Sequence, residues 1–140
     1  MHIVTYNKHL YNSMLEASDK ANGLAVVALF FEEKEDVDLK DTQLFKMSAF
    51  LRSAEAVRQP NTSVKLAPFP GEALLDIGKD RGRFYRYEGS LTTPPCTENV
   101  VWTVMNKVLP VHPQQLEVLR TLYFPSDEVE QRMVNNYRKI

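Results

Sequence analysis

The chain has no excess of charge of either sign: 17 Lys and Arg against 18 Asp and Glu leave a formal net charge of -1. That removes the electrostatic footprint by which nucleic acid or an acidic membrane surface is bound. It also has no long apolar run. The longest, Leu24 to Phe31 within "GLAVVALFFEE", is far below the roughly 20 residues that cross a bilayer, and reads as a buried strand. The N-terminal "MHIVTYNKHL" lacks a basic region followed by an apolar stretch, and no signal peptide is visible in it. One cysteine, Cys96, cannot close an internal disulfide, and a small buried hydrophobe is one reading of it. The three histidines, His2, His9 and His112, include no pair spaced i, i+2 or i, i+4, so spacing alone gives no local metal motif. Ser90 and Cys96 have no base nearby in sequence, and neither a lipase-type elbow nor a glycine-rich phosphate loop occurs. The acidic run Glu32 to Asp41 lacks the spacing and glycine of a calcium loop and reads as a solvated loop.

What is present is a mixed set of elements. A chain of 140 residues is long enough for one domain with a real core and too short for two of ordinary size. "HIVTY" alternates, placing His2, Val4 and Tyr6 on one strand face and Ile3 and Thr5 on the other. Starting inside a strand suggests further sequence upstream. Leu10, Met14, Leu15 and Ala17 mark a short helix or helical turn ending near Asn22-Gly23. Leu44, Met47, Leu51 and Ala54 repeat at helical spacing, and Pro60, Pro68 and Pro70 then break the chain into an irregular connector. "RFYRYEG" and "ENVVWTVM" alternate as strands, the second with Val100, Trp102 and Val104 on one face. Pro113 suits a first helical position, with Leu116, Leu119 and Tyr123 following at three and four, and His112 as the entry residue. The pattern predicts an α+β architecture.

Between the last two strands lies "GSLTTPPCTENVVW", Gly89 to Trp102, where hydroxyls, a Pro-Pro pair, the only cysteine and the only tryptophan adjoin. This stretch closely resembles the signature of the α-class carbonic anhydrases. Other segments match in order: "MHIVTYN" resembles the strand carrying the third zinc histidine, "GLAVVALFFE" a strand of the pocket floor, "FYRYEGSL" the approach to the signature, and "MVNNYR" a segment near the family's C-terminus. The resemblance runs over almost all of residues 1–140 and covers about the C-terminal half of the family's domain, implying a single partial domain. The fold it implies is a mostly antiparallel central sheet with peripheral short helices.

The resemblance implies roles residue by residue. His2 corresponds to the third zinc ligand. Thr92 corresponds to the gatekeeper, whose hydroxyl accepts a hydrogen bond from the metal-bound nucleophile, and Thr93 helps position bicarbonate. Val4, Val26, Leu91, Val100 and Trp102 correspond to the apolar side of the cavity, and the alternation of His2 with Val4 and of Val100 with Trp102 agrees. The implied cofactor is Zn2+, the implied substrates carbon dioxide and bicarbonate, with no nucleic-acid partner. Rigid prolines after the threonines would hold the Thr92 hydroxyl in register. The family's first two zinc histidines lie as His-x-His upstream of the third and have no counterpart here, so this polypeptide by itself is expected not to hydrate carbon dioxide or hold zinc tightly. An open sheet edge invites a complementing chain or self-association. In secreted and membrane-attached members a cysteine directly after the Pro-Pro pair forms a disulfide; with the sequon Asn61-Thr62-Ser63, Cys96 therefore suggests a secreted or extracellular-facing parent. A non-catalytic carbonic-anhydrase-related binding module is the alternative, although retention of His2 and both threonines favours the enzyme.

Overall fold

The computed structural model describes residues 1–42, 45, 48–66, 83–125, 132–135 and 137. Their elements, in chain order, are β1 (His2–Tyr6), α1 (Met14–Ala17), β2 (Leu24–Glu33), a 3-10 turn (Leu39–Asp41), α2 (Ser48–Ala56), β3 (Phe84–Gly89), β4 (Val100–Val111) and α3 (Pro113–Arg120). The four strands form one sheet in the order β1-β2-β4-β3. The outer pairs are antiparallel, with His2 opposite Ala28 and Val4 opposite Val26 in one, and Tyr87 opposite Trp102 in the other. Between them, the Leu24 N–H donates to the Asn99 carbonyl and the Lys34 N–H to the Val111 carbonyl. Both register points advance together, so β2 and β4 run parallel and the mostly antiparallel sheet is mixed.

The described residues group into two compact units, Met1–Phe31 with Lys79–Val108, and Glu32–Gly78 with Leu109–Ile140. In the first, apolar residues at every second position meet on one sheet face. Leu24, Val26 and Ala28 from β2 and Val100 and Trp102 from β4 are buried together with Ala17 of α1, and Tyr6, Tyr11, Leu91 and Val104 pack against them. That cluster is the physical reason for the alternation, since period-two placement sends one set of side chains inward.

Local chemistry sets the boundaries. Ser13 caps α1 by accepting from the Glu16 N–H at 3.1 Å, while the Glu16 carboxylate accepts from the Asn12 N–H at 2.9 Å. The helix is a single turn, however, and Leu10, Met14 and Leu15 are exposed while only Ala17 is buried. One turn of helix has too few hydrogen bonds to offset its nucleation cost and is held from outside: the Asn99 amide donates to the carbonyls of Ala17, Ser18 and Lys20 at 3.0, 3.1 and 2.8 Å. Asn22 takes a positive φ of 54° at the turn into β2. A Cβ on the next residue, Gly23, would lie 2.0 Å from the Ala17 carbonyl oxygen, so the close return of the chain requires glycine.

In the second unit α2 buries Leu51 and Ala54 and packs against α3. Leu44, Met47, Pro68 and Pro70 lie outside the described residues. α3 begins as the sequence predicts, with Pro113 in its first turn and His112 as its cap. The His112 Nδ1 accepts from the Gln114 N–H at 3.3 Å, and the Gln115 Oε1 accepts from the His112 N–H at 3.0 Å. Gln115 is buried, and its amide donates to the equally buried Thr42 hydroxyl at 2.7 Å. Tyr123 is outside the helix, in an isolated bridge to Arg132.

Candidate active site

The first unit carries the residues that the sequence singles out for chemistry. On β1 the hydrogen-bond pattern decides which groups are free. Met1 and Leu29 exchange both backbone hydrogen bonds, at 2.8 and 2.9 Å, and the Asn7 N–H donates to the Gly23 carbonyl at 2.9 Å. In an antiparallel ladder the odd-numbered residues therefore face β2, and His2, Val4 and Tyr6 direct their N–H and C=O groups away from it. Among the described residues no strand takes them up. The same three residues share one sheet face, so β1 offers at one place an open backbone edge and an exposed imidazole.

His2 is fixed from one side only. Its ring meets the Trp102 ring edge to face, with centroids 4.8 Å apart and planes at 77°. Partial burial first, and the positive charge of the neighbouring N-terminal ammonium second, lower its pKa below the ordinary histidine value of 6.5. Both causes disfavour imidazolium, and a neutral imidazole is the form that ligates a metal.

Trp102 is 5 % exposed. Its indole N–H donates to the Ser90 carbonyl at 3.0 Å, and its ring lies nearly parallel to that of Tyr87, at 6° and 6.1 Å. Ser90 is two residues before Thr92, so Trp102 ties the loop of the threonines to the strand of His2. Gly89 makes room for this stack. A Cβ there would stand 3.0 Å from Tyr87 Cε2 and 3.2 Å from Trp102 Cδ1. Two backbone hydrogen bonds brace the loop, from the Leu91 N–H to the Thr97 carbonyl at 3.0 Å and from the Cys96 N–H to the Thr93 carbonyl at 2.9 Å. The Pro94-Pro95 peptide is cis, and Cys96 adopts a φ of 58°. Thr92 and Thr93 are both exposed.

Of the five apolar residues assigned to the cavity, Val26, Val100 and Trp102 are buried in the core cluster and Leu91 packs against it. Val4 is 44 % exposed because it sits on the open edge strand. A cavity of about 520 Å³ is lined by residues including Glu88, Gly89, Ser90, Glu98 and Asn99; among the assigned residues only Val100 borders it. Sequence reasoning missed Tyr87, Gly89 and the Ser90 carbonyl. A glycine flanked by aromatics two positions apart across a strand pair was the available signal.

A tetrahedral zinc site takes at least three protein donors. Among the described residues no group of three His, Cys, Asp or Glu side chains could hold a metal ion; His9 lies in the turn after β1 and His112 caps α3. The described residues therefore do not by themselves fit zinc.

The family model for eukaryotic-type carbonic anhydrases matches residues 1–140. The chain belongs to that family. It is 35% identical to carbonic anhydrase 5A, mitochondrial, of Rattus norvegicus over the whole chain and 43% of that relative. It is 33% identical to carbonic anhydrase 12 of Homo sapiens, over the whole chain and 38% of the relative, and 31% identical to carbonic anhydrase 7 of Mus musculus, over 99% of the chain and 49% of the relative. The chain thus spans less than half the length of these relatives.

Proposed function

We propose that this chain supplies one imidazole, the threonine wall and the apolar wall of a carbonic anhydrase centre that hydrates carbon dioxide. The observation that carries the reading is Trp102, which touches the His2 ring and holds the loop of Thr92 through its indole N–H. One residue thereby keeps the proposed ligand and the proposed gatekeeper in fixed relation.

The remaining metal donors come, in this reading, from a strand that adds to the open edge of β1. Its alternate side chains would lie on the His2 face, so imidazoles at i and i+2 would be neighbours of His2. Three neutral imidazoles, His2 and two from the added strand, would hold a zinc ion with its fourth position open, and the chemistry supplied there would be a bound water acidified to a pKa of about 7, a source of hydroxide at neutral pH. His2 contributes a neutral ring. Thr92 contributes an acceptor oxygen that orients the nucleophile, and Thr93 a hydroxyl for the product carboxylate. Val4 and Leu91 offer the apolar surface against which an uncharged linear substrate rests, backed by the buried Val26, Val100 and Trp102.

The test is complementation. The 140-residue chain is mixed with a family polypeptide bearing the His-x-His strand, and zinc content and carbon dioxide hydration are measured. The mixture is expected to bind one zinc per pair and to hydrate carbon dioxide. His2→Ala should abolish both, and Thr92→Ala should keep the metal while slowing turnover by about a hundredfold or more. Activity that survives His2→Ala would overturn the assignment. A mixture that associates but takes up no zinc would favour the binding module.

A further inference from the structure

The second unit holds the one motif of the sequence that the proposed centre leaves unused. Asn61-Thr62-Ser63 is the only Asn-x-Ser/Thr triplet among the 140 residues, with threonine rather than proline in its middle. It lies beyond α2, which ends at Ala56, and comes directly after Pro60. None of the candidate site residues stands on this unit. All three residues of the triplet are exposed. Asn61 takes a φ of 59°, in the left-handed region that asparagine tolerates better than most residues, so a bare turn accounts for the residue at 61. It does not account for Ser63.

Hydrogen bonding separates what holds the turn from what the turn leaves free. The Thr62 hydroxyl donates to the Gln59 carbonyl and so braces the turn. The Asn61 carboxamide and the Ser63 hydroxyl make no hydrogen bond among the described residues. Asn7, Asn12 and Asn99, by contrast, use their carboxamides. The Asn7 Nδ2 donates to the Asn22 carbonyl, the Asn12 Nδ2 to the Glu16 carboxylate, and the Asn99 Nδ2 to the carbonyls of Ala17, Ser18 and Lys20. A bulky, hydrated oligosaccharide is compatible with a folded chain only at an exposed asparagine. Attachment at Asn61 breaks no described hydrogen bond and displaces no buried side chain.

We infer that Asn61 is the acceptor of an N-linked oligosaccharide, with the Ser63 hydroxyl as the group that marks it for the transferring enzyme. The donor class is an oligosaccharide joined to a membrane lipid through pyrophosphate. The Asn61 carboxamide nitrogen forms a bond to the anomeric carbon of the first sugar, and the bond from that carbon to the pyrophosphate oxygen breaks. The lipid pyrophosphate leaves with the electron pair, and one amide proton passes to a base of the enzyme. Nothing is oxidised or reduced. Such transfer takes place on the lumenal side of the secretory pathway, so an occupied Asn61 also assigns the parent protein to that route.

The test uses the full natural coding sequence, expressed in cultured animal cells with no leader added. The protein is treated with a peptide-N-glycosidase in heavy-oxygen water, which converts a glycan-bearing asparagine to a labelled aspartate, and the peptide containing Asn61 is weighed by mass spectrometry. Label at position 61 is expected, and only after the glycosidase. Ser63→Ala should abolish it while leaving Asn61 and its turn in place, and Ser63→Thr should keep it. Because the Ser63 hydroxyl is exposed and has no described partner, both variants are expected to melt with the wild-type protein. An Asn61 that stays unlabelled in the wild-type protein, whichever compartment holds it, would overturn the proposal. So would label that survives Ser63→Ala or appears without the glycosidase, since either is spontaneous deamidation. None of these readouts involves zinc or carbon dioxide, so they stand apart from the assignment of the active site.

Discussion

Two properties come together where His2 touches Trp102. The two rings meet edge to face, and partial burial of the imidazole is the first cause of the lowered His2 pKa. With the folded value below the unfolded 6.5, the unfolded chain binds more protons in the interval between the two. Stability should therefore rise as pH climbs through that interval and lose its dependence on His2 above about 6.5. Titration of the His2 ring by NMR should give a midpoint below 6.5, and denaturation across the same range should show the rise; a midpoint at or above 6.5 would contradict the account. On its other side Trp102 holds the Ser90 carbonyl. Trp102→Phe keeps a ring beside His2, deletes that donor at a cost of about 0.5–1.5 kcal/mol, and removes part of a buried side chain, which adds a packing loss. The expected result is uneven: amides of Leu91 and Cys96 exchange faster than those of Val26 and Ala28, by up to about tenfold. Equal acceleration throughout would mean that Trp102 acts only by filling the core.

At the scale of elements, α3 is held by its first turn, where His112 and Gln115 cap each other's backbone groups and Gln115 reaches the buried Thr42 hydroxyl. His112→Ala should lower unfolding stability by about 1 kcal/mol, measured by denaturant titration, with no change at the Trp102 fluorescence environment. This helix was legible from Pro113 and the following apolar spacing, and so was His112 as entry residue, because both signals are local. β1, β3 and β4 were legible as strands for the same reason, since period-two alternation is a local signal, and on β4 it also names the buried Val100 and Trp102. α1 was legible as a short helical turn, but what holds it was not: its apolar residues Leu10, Met14 and Leu15 remain exposed and the turn depends on the Asn99 amide, more than 70 residues away in sequence. The candidate site divides along the same line. His2, Thr92 and Trp102 could be picked out by likeness to a family motif, whereas the Tyr87–Trp102–His2 arrangement and the space left by Gly89 arise from cross-strand register, which no local pattern states. The parallel pairing of β2 with β4 also escapes local reading, because nothing in either strand distinguishes parallel from antiparallel neighbours.

For the whole molecule, the count of metal donors sets a measurable limit. A ligand that binds only the folded state stabilises it by RT ln(1 + [L]/Kd), about 2.7 kcal/mol when present at a hundred times Kd. Each kcal/mol moves the melting temperature by about 2 to 8 °C in domains of this size range, so a three-imidazole zinc site would announce itself as a large shift. His2 is a single donor on an edge that no described strand covers, with His9 in the turn after β1 and His112 capping α3. The 140-residue chain alone should therefore show the same melting temperature with zinc at modest excess and with a chelator, and His2→Ala should behave identically. Adding a polypeptide with a His-x-His strand should make melting zinc-dependent, and only when His2 is intact, because the edge of β1 and the imidazole beside it are then used together. A zinc-dependent rise of several degrees in the unaccompanied chain would mean that the donors were already assembled, and would remove the need for a strand on β1.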